Sequence, residues 1–380
     1  MDRGLQPCRG RVILPVNYLE EQMEKERALR FDIIRIVAII MILMIHVSVL
    51  LVLFTPDTAS PSFISANIIN GIGRAGVPMF LMLSGALLLD EKRKFDTKKF
   101  YKKPFLTIVF LLVFWLLFYA TWRTFLLPTI LGNEIDTALF GQYLLHLKGL
   151  YPHLWYLFML VGAYLAIPFL RLFVKKENKP YILGFIIVAF IAQFATQTAG
   201  VFTQGSSFSI SEFMSKFHLE YATGFLPYLL VGWYVTAFPP TKKHRLFIYA
   251  FGALALLSSI LAVQFYIREI PAIHDYVMEA NTLTSALYGL SVFTLICAIA
   301  KDRTTKSTLI RELSMSAFGV YILHVAVLDI LTNKLMPFDS GWESIPVIYL
   351  LALILINYAV CLLIVIPLSR VKGVKKIFHY

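Results

Sequence analysis

Charge is what this chain has least of. Asp, Glu, Lys and Arg make up only 15% of its 380 residues, against about a quarter in an ordinary soluble domain. So little charge excludes a soluble enzyme, and it equally excludes a disordered segment. Cysteine is scarce as well. Cys8, Cys297 and Cys361 are scattered and odd in number, which excludes a disulfide framework and a metal motif. Long polar stretches are missing, so no separate soluble domain fits between the apolar segments. Short alternating apolar segments are missing too, which excludes a membrane β-barrel.

What is present is apolar: 58% of the residues. A helix that crosses a bilayer needs about 20 mainly apolar residues. Ten segments qualify: 31–54, 68–89, 104–127, 154–173, 181–199, 218–238, 246–267, 282–300, 314–333 and 346–369. The first run begins near residue 31 and is long enough to span, so a retained helix is expected rather than a cleaved signal peptide. The pattern predicts an all-α, polytopic membrane bundle of about ten transmembrane helices over residues 31–369. It is flanked by an N-terminal segment (1–30) and a basic tail (370–380). Met23 opens the charged run MEKERALR just before the first span and is a candidate translation start.

The net charge of +12 suggests nucleic acid until the positions are read. Of the 35 Lys and Arg residues, 28 fall in 1–30, 90–103, 171–180, 239–245, 301–313 and 370–380. Four fall in the alternate loops 55–67, 128–153, 200–217, 268–281 and 334–345. Such a bias marks the cytoplasmic side and places both termini there.

Ionisable groups within spans are costly and therefore suggest function. The first span carries Asp32, Arg35 and His46. Arg35 and His46 are eleven residues apart, which puts them on one helix face with a rise of about 16 Å. Arg35 is expected at the cytoplasmic boundary and His46 beyond the midplane. An arginine at a mouth can hold phosphate by paired charge-assisted hydrogen bonds. A histidine deeper on the same face can move a proton near neutral pH. Asp32, one turn before Arg35, can orient it or join it in an interfacial anchor. Arg74 is expected at roughly the depth of His46, entering from the opposite side. Pro78, Gly76 and Gly85 suggest a kinked or closely packed second helix. Ser84 in that helix is expected to bond its own backbone.

Neither Arg74 nor Arg123 has a carboxylate nearby in sequence, so a partner must come from another helix or a substrate. His153 is expected near the outer surface, with Trp155 and Tyr156 in an interfacial aromatic belt. Tyr321 and His324 are one turn apart on one face, with Asp329 further out. The loop after the second span carries seven basic residues, which suit topology, anionic lipid or a polyanion.

These residues resemble the acyltransferase 3 family of integral membrane O-acyltransferases, from about residue 28 to 370. Asp32, Arg35 and His46 match the family's first-span pattern. Gly76, Val77, Phe80, Ser84 and Gly85 match the element that ends its second helix. The HLWYL and YILH elements fit as well. Lys98, Lys99, Lys102 and Lys103 correspond to a stretch that is Arg-rich in the family. Lysine offers a point charge in place of the bidentate fork. The chain runs eleven residues past its last span without the esterase-like domain of some relatives, as expected of the stand-alone branch.

The resemblance implies acyl transfer, most simply of acetyl, from acetyl-CoA as co-substrate to a hydroxyl of a cell-surface glycan or its lipid-linked precursor. It implies no bound cofactor and no metal. His46 would be the base or the acyl carrier, and Arg74 the oxyanion donor. Arg35 and the four lysines would hold the donor's phosphates. Asp32 and Ser84 would orient, and His153, Tyr321 and His324 would line the cavity. Outer loops containing Tyr151, His153, Gln204 and Ser206 would meet the acceptor. The competing reading is a proton-coupled transporter or flippase for an anionic substrate, which would also use buried Arg and His.

Overall fold

The computed structural model describes residues 27–146, 151–203, 213, 216, 224–339 and 341–378. Residues 1–22, Met23, Gln204, Ser206 and the start of the 218–238 segment lie outside the described residues. The protein is an all-α membrane bundle. Among the described residues, strand pairing is confined to β1 (Arg27–Ala28) and β2 (Thr304–Thr305), which join antiparallel.

Among the described residues, eight helical spans are long and apolar enough to cross a membrane, against the ten expected; Leu226–Ala237 and Leu283–Ile299 are shorter apolar helices. The helices used below are α1 (Leu29–Phe54), α2 (Pro61–Gly73), α3 (Gly76–Leu88), α4 (Leu106–Thr121), α5 (Trp155–Phe173), α6 (Lys179–Ala189) and α7 (Leu226–Ala237). They continue with α8 (Lys242–Tyr266), α9 (Ile273–Val277), α10 (Leu283–Ile299), α11 (Thr308–Met315), α12 (Ala317–Ile330), α13 (Pro346–Leu368) and α14 (Lys375–Phe378). α1 packs against α2, α3, α12 and α13, so the first span is held from both ends of the sequence.

The second span is broken rather than continuous. It starts where Ser60 Oγ accepts the Phe63 N–H at 3.2 Å and Pro61 takes the first helical position. It stops at Arg74 because Pro78 has no N–H to give the Arg74 carbonyl, and the surrounding glycines add little helix propensity. The helix resumes as α3. At Gly73 a Cβ would lie 2.6 Å from the Met41 carbonyl oxygen of α1, so the break sits directly on α1. α3 and α7 cross just as closely. A Cβ at Gly85 would collide with the Leu229 carbonyl oxygen, and one at Gly232 with that of Met82. Only glycine permits such backbone contact, the device by which membrane helices gain packing without a hydrophobic driving force.

The loops sort into two ends as the alternation of basic residues predicts. At the basic end, Leu29 N donates to Arg303 O at 2.9 Å, and Arg171 donates to Leu88 O at 2.5 Å and Arg93 O at 2.9 Å. Arg370 stands 3.9 Å from Glu312 at the same end. At the opposite end, Gln264 donates to Thr58 O at 2.7 Å and Lys334 to Ile130 O at 2.8 Å. Between the ends, large apolar side chains face outward: Phe54, Phe169 and Leu363 are 74%, 61% and 75% exposed. Lipid is the solvent that such a surface requires.

Candidate functional site

At the basic end of α1, Asp32 is buried. Its Oδ1 accepts from Arg35 Nη1 at 3.3 Å and from Ser314 Oγ of α11 at 2.6 Å. Arg35 also donates to Ser314 Oγ at 3.4 Å. The carboxylate thus fixes the arginine against α11. It does so beside a cavity of about 460 Å³. Arg35, Arg93 and Lys375 supply the cationic lining, and Ser84, Tyr156 and Tyr321 supply hydroxyls. The Ser84 hydroxyl itself donates to Phe80 O at 2.9 Å, within its own helix.

Behind Tyr321 lie three histidines from three different spans. The ring centroids of His46 and His324 are 4.9 Å apart, those of His153 and His324 5.4 Å, and those of His46 and His153 6.2 Å. Tyr321 links the cavity to this cluster, because its hydroxyl donates to the His153 carbonyl. His324 Nδ1 lies 2.5 Å from the Tyr321 carbonyl oxygen. A carbonyl can only accept, so Nδ1 carries the proton and Nε2 is a bare lone pair. That Nε2 is buried without a hydrogen-bond partner, as are both ring nitrogens of His153. Buried polar atoms left unpaired are rare and call for a chemical reason.

Arg74 stands off the cavity lining, in the break of the second span. Asn70 Oδ1 accepts from its Nε at 3.0 Å and its Nη2 at 2.6 Å. Asn70 is oriented in turn by donating to Ile45 O at 3.2 Å and Ser48 Oγ at 3.0 Å on α1. Arg74 Nη2 also meets His274 Nε2 at 2.6 Å, and its Nη1 lies 3.5 Å from Glu279. The partner that the sequence could not supply nearby therefore comes from the loop around α9. With Nε2 accepting from arginine, the His274 proton belongs on Nδ1, which faces Asp275 at 3.6 Å and Glu279 at 4.0 Å. Burial, and then the charge of Arg74, hold the His274 pKa below its ordinary value. The bond from His274 holds the Asp275 carboxyl below the usual carboxylate range. His274, Asp275 and Glu279 group their ligand atoms within 4.8 Å, as a metal site would, but the cation facing them is the guanidinium.

The structure brings Arg35, Asp32, Ser84 and Tyr321 to or beside the cavity, and His46, His153 and His324 into the cluster behind it. It does not bring Arg74 to the cavity lining, nor Lys98, Lys99, Lys102 and Lys103, which are exposed. Of the seven basic residues in that loop, Arg93 is the one on the lining. His153 is deep rather than superficial, at 1% exposure, because the turn Pro152–Leu154 folds inward against Tyr119. Tyr156 is likewise buried on the cavity instead of lying in an aromatic belt, while Trp155 is exposed. Sequence reasoning missed Asn70, His274, Glu279 and Lys375. The i to i+4 spacing of Asn70 and Arg74 was the available signal for the first.

Residues 29–366 match the family model described as an acyltransferase domain. The protein is a membrane acyltransferase. It belongs to the acyltransferase 3 family. Comparison with curated proteins and with solved structures finds no match.

Proposed function

We propose that this protein moves an acetyl group from cytoplasmic acetyl-CoA to a hydroxyl of a cell-surface glycan or its lipid-linked precursor. It would act as a multi-pass enzyme of the bacterial cytoplasmic membrane, similar to the stand-alone enterobacterial common antigen O-acetyltransferase. The observation that carries this reading is the cavity with Arg35, Arg93 and Lys375 on its lining and the three-histidine cluster behind Tyr321. The cations suit the donor's phosphates, and the hydroxyl-lined interior suits a thioester arm.

In direct transfer, His46 takes the proton of the acceptor hydroxyl as its oxygen bonds the thioester carbon. The C–S bond breaks, and the proton passes to the CoA sulfur. In the alternative, His46 itself carries the acetyl group between thiol and hydroxyl. Arg74 would have to leave Asn70, His274 or Glu279 to stabilise an oxyanion, so we assign it to holding the outer loop on the broken span. Membership of an acyltransferase family supports group transfer over the transporter reading.

The test is purified protein with radiolabelled acetyl-CoA and host lipid-linked glycan, beside His46→Ala and Arg35→Ala. Label transfer by the wild type, its loss in His46→Ala and weakened donor binding in Arg35→Ala are expected. No CoA release by folded wild type with acceptor supplied overturns the reading.

A further inference from the structure

A second cleft opens at the basic end, beside the cavity. It has a volume of about 190 Å³. Arg30, Lys92, Arg93 and Lys176 line it, together with Asp90, Glu91 and the ring of Trp233. Arg93 and Leu87 belong to both the cleft and the cavity, so the two share a wall. Four cations outnumber two carboxylates here. Asp90 is also engaged locally: its Oδ1 accepts the Lys92 N–H at 3.0 Å, and its Oδ2 lies 4.0 Å from Arg93 Nε. Arg30 adds a second observation. Its guanidinium lies 4.8 Å over the Phe31 ring, and its Nε is buried with no hydrogen-bond partner. A buried cationic N–H without an acceptor is a donor that a phosphate oxygen would satisfy.

The cleft is not placed for the reacting end of a donor, because the histidine cluster is reached through Tyr321 on the cavity. It is placed to hold the far end. We propose that this cleft takes the phosphate monoester on the nucleotide end of the CoA thioester, with the thioester arm passing Arg93 into the cavity. Arg30 and Lys176 are the principal phosphate contacts, and Trp233 is the apolar wall beside the nucleotide. The inference rests on the donor proposed above. An anionic lipid headgroup offers the same phosphate chemistry, so the experiment separates the two sources.

The probes are acetyl-CoA and acetyl-dephospho-CoA, which differ only in that phosphate monoester, with the protein in phosphatidylcholine vesicles. Wild type is expected to show a KM about tenfold lower for acetyl-CoA, as charge-assisted phosphate contacts imply. Lys176→Met and Arg30→Gln should each raise the KM for acetyl-CoA about fivefold, with kcat and the KM for acetyl-dephospho-CoA unchanged. Lys243→Met, an exposed lysine at the same end and outside the cleft, should change neither. Turnover without discrimination between the donors, or equal effects of the variants on both, overturns this assignment alone. Absence of turnover with either thioester overturns the donor reading and this site with it. A second arm replaces part of the phosphatidylcholine with phosphatidylglycerol. Loss of a phosphatidylglycerol response in the variants, with donor discrimination intact, identifies a lipid headgroup site and overturns the nucleotide assignment.

Discussion

Arg35 and Arg74 are both enclosed in apolar spans, yet they are built into the molecule differently. Arg35 is fixed by Asp32 and Ser314 from two helices, keeps 24% side-chain exposure and lines a cavity. Arg74 is wrapped by Asn70, His274 and Glu279, with 9% side-chain exposure and no place on that lining. An anchored arginine beside a cavity can still turn charge toward a ligand. One that already donates to Asn70 and His274 and pairs with Glu279 is tied into the protein around it. The same residue type inside a membrane therefore reads as binding or as architecture according to its acceptors.

Four experiments break or sharpen that contrast, and the largest effect lies between the two arginines. His46→Gln should lower kcat by about 10²- to 10⁴-fold with unchanged thermal stability, the range for loss of a general base. A steady-state rate beside a melting curve checks it. Next, Arg74→Met should cost about 1–3 kcal/mol of stability by leaving Asn70 Oδ1 and His274 Nε2 buried without their donor. The measurement is denaturation in detergent, and a normal melting curve with lost kcat would reverse the contrast. Third, Arg35→Met should raise the donor KM about tenfold with little change in kcat, consistent with loss of a charged hydrogen bond. A kcat loss at unchanged KM would place Arg35 in the chemistry instead.

The smallest effect concerns pH. The His274 pKa is lower in the folded protein than in the unfolded chain. Folding therefore favours neutral histidine, and its contribution is complete above about pH 6.5, the ordinary value. It declines as pH falls from there toward the lowered pKa. A melting temperature that drops between pH 7 and 5 in wild type, and drops less in His274→Gln, is the expected result.

Much of this could be read from the sequence, and what could not has physical causes. Helix length and loop charge are local and additive, so the all-α membrane bundle could be read from composition, although eight described spans reach full length where ten were expected. The shared face of Arg35 and His46 followed from helical geometry. The depth of His153 did not, because it depends on a short turn folding inward, which no periodicity encodes. The break at Arg74 was half visible in Pro78, but its partners were not, since Glu279 is some two hundred residues away and meets it only in the fold. The choice of Arg93 and Lys375 over the four lysines was hidden for the same reason. Charge density in a loop says how basic it is, not which side chain turns inward.

The histidine cluster draws its rings from α1, the turn Pro152–Leu154 before α5, and α12. Its members are therefore made one after another, His46 first and His324 last. A nascent chain carries His46 into the bilayer long before His324 leaves the ribosome, and β1 waits for β2 over nearly the same interval. No truncated product ending before the ninth span can assemble the site. The order of synthesis thus sets the order of assembly: the three rings can meet only once the ninth span has been made.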